Sequence, residues 1–217
     1  MQILYKQIKN ATHKTHATGC ITLSGVSQKG YILMNKHLSN AVEFLQAQGL
    51  EINIGLKSEN TFLPNIEIVN GAIHYDPDCT LVSDLLHESG HVMLCPKPFR
   101  KHLHNNLYKG FRYIFETVSI PLDSQLHWYL MAMDDHGVTA WAWAVGKHLG
   151  IPDHEIIKDD QYGGEGASIR TCLQLNSYIG INGLCHAKYC DMPNTSRYKE
   201  NAIVFPNMKK WSPSYVE

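Results

Sequence analysis

The stretch that decides the fold is "DLLHESGHVML", residues 84–94. His87 and His91 stand four apart, and Glu88 follows the first. In an α-helix, residues four apart stack on one face, one turn above the other. The two imidazoles then lie side by side, at a separation one metal ion can bridge. Glu88 cannot join that pair, but it can reach a water on the ion and take its proton. Leu85, Leu86, Val92 and Met93 supply the apolar anchors of a helix that crosses a core. Ser89 and Gly90 are small enough to let another element come close. The plainer alternative makes both histidines hydrogen-bonded core residues and Glu88 a surface acid. With 13 histidines in 217 residues, such a string arises by accident on the order of a few per cent of the time. The flanking sequence therefore has to support the metal reading.

Upstream, "LSNAVEFLQAQGL" (38–50) reads as a helix, capped by Ser39 or Asn40 and closed by Gly49. "EINIGL" (51–56) alternates as a strand does. "NIEIVNGAIHYDP" (65–77) holds two alternating runs joined by Asn70-Gly71, which can adopt the positive φ values of a type I′ turn. The second run, "AIHY", precedes the metal helix directly and is placed to pair with an extended peptide. The helix itself is expected over 81–94, with Ser83 and Asp84 in its first turn and Pro96 as its stop. A second helix is expected over 99–118, one long helix over 122–150 and a final helix over 167–180. The order predicts an α+β fold, mainly helical, with a small antiparallel β-sheet. Residues 1–30 are polar and turn-rich and read as a loosely packed arm. Residues 31–217 are expected to form a single domain.

A catalytic zinc needs a third protein ligand and one open position. No further histidine follows at helical spacing, because Pro96 and Pro98 separate His91 from His102. "AMDDHGVTAWAWAVG" offers an acid on a later helix. Asp135 is preferred, because Ala132, Thr139, Ala142 and Gly146 on its face are small and permit close approach. Asp134, His136 or a glutamate remain alternatives.

"LLHESGHVML", followed by the acid-bearing "DDHGVTAWAWA", resembles the zincin metallopeptidases. More narrowly it looks like bacterial zincin-like proteins related to the ImmA/IrrE peptidase group. The resemblance covers roughly 65–150; "IGINGLCHA" (179–187) also has the feel of that family. It implies a zincin-like domain over 31–217, a zinc ion held by His87, His91 and a later acid, and cleavage of protein regulators. An aspartate where zincins often carry glutamate is a departure.

Other residues are candidates for the cleft. Of His74 and Tyr75, strand alternation lets only one point into it, as an oxyanion donor or substrate contact. His186 and Tyr178 are further substrate-side candidates, and Arg170 is a possible carboxylate partner. Trp141 and Trp143 are two apart on a helix and therefore diverge into the core. Cys185, Cys190 and His186 have the wrong spacing for a zinc knuckle, and the six cysteines read as free thiols.

Composition excludes some classes. Net charge is −1, from 19 basic and 20 acidic residues, so nothing points to nucleic acid or an anionic membrane. No run is apolar enough to span a bilayer, and "MQILYKQIKN" has no apolar core of a signal peptide. The expected setting is the cytoplasm. Three functional readings follow. The first is a zinc-dependent hydrolase acting on a protein or peptide, with Glu88 as general base. The second is a non-catalytic zincin-like module that binds metal for a regulatory or partner-binding role. The third, deformylase-like chemistry, needs an upstream cysteine ligand, for which Cys79 is the near candidate.

Overall fold

The structure is a computed structural model, and it describes residues 28–59 and 61–214. The proposed N-terminal arm falls almost wholly outside the described residues. Helix α1 (Gln28–Ala47) begins well before the expected start, so Ser39 and Asn40 sit inside it rather than at a cap. It ends where the sequence says. Gly49 takes φ +83°, and Leu50 N–H donates back to the Leu45 carbonyl at 3.1 Å, a glycine-closed helix end.

Three short strands follow: β1 (Ile52–Ile54), β2 (Ile66–Val69) and β3 (Ala72–Tyr75). Asn70 and Gly71 adopt φ values of 52° and 82°, and β2 and β3 pair antiparallel across them. The sheet is mixed rather than purely antiparallel. Its order is β1-β3-β2, with β1 parallel to β3. The hairpin's own turn chemistry fixes one pairing, while the β1–β3 pairing spans a long connection that local periodicity cannot see. Because β3 is the central strand, both of its edges are taken, and "AIHY" cannot receive an extended peptide.

The pairing register sorts the sheet into two faces. Ile52, Ile66, Ile68, Ile73 and Tyr75 share one and belong to the core. Glu67 and His74 are cross-strand partners on the other.

Helix α2 (Val82–Leu94) packs on α1, on β2 and β3, and on α5 (Asp135–His148). No side chain caps its start at Leu81, and Asp84 instead accepts from Gln161 Nε2 at 2.8 Å. The helix expected over 99–118 is two pieces, a 3-10 turn Lys97–His102 and α3 (Leu107–Thr117). Asn105 takes φ 42° between them, and Asn106 starts α3 by accepting from Tyr108 N–H.

The long helix expected over 122–150 is also broken, into α4 (Gln125–Met131) and α5. Asp134 accepts from Gly137 N–H at 2.7 Å and so caps a new helix in mid-stretch. A short helix α6 (Asp153–Ile156), then α7 (Gly166–Gln174) and α8 (Gly180–His186), complete the helical set. The expected final helix over 167–180 thus stops short at Gln174, with Asn176 at φ 54° beyond its end, and α8 begins only at residue 180.

Helices α2 and α5 form the centre of the molecule. A Cβ built on Gly90 would lie 2.8 Å from Val138 Cγ1 and 3.2 Å from Trp141 Cε3, so the small residue between the two histidines is what lets α5 come this close. Trp141 and Trp143 are both fully buried, and Trp141 Nε1–H donates to the Trp211 carbonyl at 3.1 Å. Among the described residues no helix is long and apolar enough to cross a membrane.

Candidate metal centre

The α2–α5 contact brings His87, His91 and Asp135 together. Their candidate donor atoms all lie within 4.8 Å of one another. The two imidazoles are 5.1 Å apart between ring centroids, with their planes at 83°. His91 Nε2 is 3.6 Å from Asp135 Oδ1. His91 is buried and His87 half-buried, while the Asp135 side chain is 59% exposed. The cluster is therefore walled by protein on the histidine side and open on the aspartate side. Phe111 of α3 lines one flank, its ring centroid 6.4 Å from that of His91.

Each histidine is held by its Nδ1. His91 Nδ1 meets the Met133 carbonyl at 3.2 Å. A carbonyl only accepts, so His91 carries its proton on Nδ1 and Nε2 is left unprotonated. His87 Nδ1 meets the Tyr162 hydroxyl at 3.1 Å. Burial, reinforced by the neighbouring His91, depresses the His87 pKa, with Asp135 opposing; burial likewise takes His91 down to about 4. Burial thus favours the neutral form of both rings, the form that binds a cation.

Glu88 is half-buried beside this group. Burial first, then the charges of Asp84 and Asp135, push its pKa up to about 8. Asp84 and Asp135 therefore disfavour the ionised form of Glu88, beside a site with no positive side chain among its three donors. That donor set of two neutral imidazoles and one carboxylate is the chemistry zinc accepts in a site with an open position.

The remaining sequence candidates lie elsewhere. Asp134, the alternative ligand, is occupied as the cap of α5. His136 Nδ1 is paired with the Tyr178 hydroxyl at 3.1 Å, one step out from Asp135. His74 sits on the far face of the sheet, its Nδ1 at 3.2 Å from the Gly55 carbonyl. Tyr75 is packed into the core on the other face. His186 stacks on Trp128 with centroids 4.4 Å apart. None of the three is brought to the cluster, because strand alternation and helix phase govern direction but not distance. Arg170 is spent on the Ile157 carbonyl and Asp159, in a structural tie. Cys185 and Cys190 approach to 3.5 Å between sulfurs, with no third ligand grouped with them among the described residues.

Two residues of the site escape a reading of the sequence. Met133 contributes only a backbone carbonyl, which no side-chain motif records. Tyr162 lies in "DQYGGEG", a stretch whose glycines signal a loop and nothing more.

Comparison of the chain with protein-family models, with curated proteins and with solved structures matched none of them.

Proposed function

We propose that this protein is a zinc-dependent hydrolase that cleaves amide bonds in a protein or peptide. The observation that carries the reading is the convergence of His87, His91 and Asp135 within 4.8 Å with Glu88 next in sequence to a donor. His87, His91 and Asp135 would hold the ion. When bound, zinc supplies Lewis acidity to a carbonyl oxygen and to water, and its charge favours ionised carboxylates nearby. Glu88 takes a proton from the attacking water as oxygen adds to the carbonyl carbon. It then returns that proton to the amine as the C–N bond breaks. The exposed Asp135 side leaves room for the substrate, and the Phe111 flank offers it an apolar wall. The expected setting is the cytoplasm.

Elemental analysis of the purified protein, beside His91→Ala, tests the metal. Near-stoichiometric zinc in the wild type and its loss in the variant is the expected result; a wild type without transition metal overturns the reading. Glu88→Gln tests the chemistry. It should keep the metal and lose turnover of a peptide library by at least about a hundredfold. Metal without turnover in the wild type would instead favour the non-catalytic module.

A further inference from the structure

The geometry points to Tyr162 as the residue that sets the proton position on His87 and thereby makes it a metal ligand. This rests on the metal reading of the site. It concerns a residue outside the His-Glu-His motif, in a loop 75 positions from its partner.

The hydrogen placement follows by elimination along a chain of four groups. Thr139 Oγ lies 2.6 Å from the Asp135 carbonyl, one turn back on α5. The carbonyl can only accept, so the threonine proton is committed to it. The Tyr162 hydroxyl lies 3.0 Å from the same Thr139 Oγ. With the threonine proton already used, the tyrosine must donate there. The Tyr162 oxygen is then left as an acceptor, and the nitrogen 3.1 Å from it, His87 Nδ1, must be the donor. His87 therefore carries its proton on Nδ1 and offers an unprotonated Nε2, matching the state that the Met133 carbonyl imposes on His91.

Both ligand imidazoles are fixed in one tautomer by α5. Met133 precedes the helix, and Thr139 acts through Tyr162 from its second turn. The anchor of the His87 branch is the backbone carbonyl of Asp135, the residue whose side chain supplies the third donor. One strand of hydrogen bonds thus ties two of the three ligands together.

The backbone at Tyr162 supports a selected side chain. Its φ is 55°, in the left-handed region that residues with a Cβ avoid, and Gly163 and Gly164 follow at 72° and 94°. Glycine would suit that backbone better than tyrosine. The aromatic ring spans the distance from this loop to α5, where its hydroxyl meets Thr139 Oγ.

The test compares zinc affinity and His87 tautomer in the full chain. By competition with a chromophoric chelator, Tyr162→Phe should bind Zn²⁺ about 10- to 100-fold more weakly than wild type. Thr139→Val, which removes the acceptor for the tyrosine proton, should weaken it in the same direction. Thr139→Ser keeps the hydroxyl and should restore affinity to within about threefold. Nitrogen-15 NMR of the metal-free protein reads the proton directly. The wild type should show the Nδ1–H form at His87, and Tyr162→Phe should shift it toward Nε2–H. A purely structural role for Tyr162 would lower the melting temperature and leave both readouts unmoved. Unchanged zinc affinity in Tyr162→Phe, or an Nε2–H His87 in the metal-free wild type, overturns the assignment. If the wild type binds no zinc, the metal reading has failed, and the tautomer comparison still decides whether Tyr162 sets the proton.

Discussion

His91 Nδ1 donates to the Met133 carbonyl at 3.2 Å, and that carbonyl is free to accept only because the helix is broken there. In a continuous helix the Met133 carbonyl would take the N–H of Gly137, four residues on. Here Gly137 N–H goes to the Asp134 carboxylate at 2.7 Å instead. The break thus does two things at once. It releases a backbone acceptor for one histidine, and it places Asp135 in the first turn of α5 facing that histidine.

The two adjacent aspartates should therefore separate by experiment. Asp135→Ala removes a donor and should lose most zinc affinity with little change in the stability of the metal-free fold, because its side chain is exposed. Asp134→Ala removes a cap and should cost about 1 kcal/mol of stability. Because Met133 can then re-pair with Gly137, zinc affinity should fall as well, by less than in Asp135→Ala. Chelator competition and urea unfolding measure the two. The reverse ranking of affinities would assign Asp134 as the ligand.

Gly90 is the contact on which the cluster depends. Gly90→Ala would place a methyl against the Val138 side chain and the Trp141 ring in the tightest part of the α2–α5 interface. Overpacking of this kind costs about 1–3 kcal/mol, and relief by moving α5 outward carries Asp135 away from His91. Both stability and zinc affinity should drop. Gly49→Ala is the control: it is strained at φ +83° with open space around it, so it should lower stability alone.

Asp84 gives a pH-dependent stability with a definite sign. Burial raises its carboxyl pKa from 3.8 to about 6, against the opposing influence of Lys158, Ser83 and Gln161, and Asp160 adds to the rise. A folded-state pKa above the unfolded value means the contribution to stability is fully present below 3.8 and is lost as pH rises through about 6. Asp84→Asn removes this titration and can keep the bond from Gln161. Discounting for partial exposure, the metal-free variant should exceed wild type by about 1–2 kcal/mol near pH 8, converging with it toward pH 4. A difference between the two that does not vary with pH, followed by urea denaturation, would refute this.

Zinc should stabilise the fold, because the candidate ligands come from both α2 and α5, which separate on unfolding. At a free zinc concentration a thousand times Kd the gain is about 4 kcal/mol, a rise in melting temperature on the order of 10 °C for a chain of this size. A chelator should reverse it. His91→Ala should melt at the same temperature with and without zinc.

Much of this was legible in the residues. Asn70-Gly71 announces its hairpin because only a few residue types tolerate its backbone. Gly49 ends α1 for the same reason. The helix carrying His87, Glu88 and His91 reads directly, because a spacing of four has one meaning in a helix. The break at Asp134 was less visible: Asp-Asp is a good cap, but the apolar pattern continues across it, and periodicity alone reads straight through. The central position of β3 and the parallel β1 pairing rest on contacts distant in sequence, which no local pattern encodes.

The sequence by itself determined that two imidazoles share one helical face with a carboxylate next in sequence to the first, because helix geometry is local. Only the tertiary structure decided what meets that face. The approach of α5 across Gly90, the freed Met133 carbonyl and the reach of Tyr162 from a glycine-rich loop all depend on packing between distant segments. That Asp135 rather than Asp134 lies beside His91 depends on it too, since one of two neighbouring acids is consumed in starting the helix that presents the other.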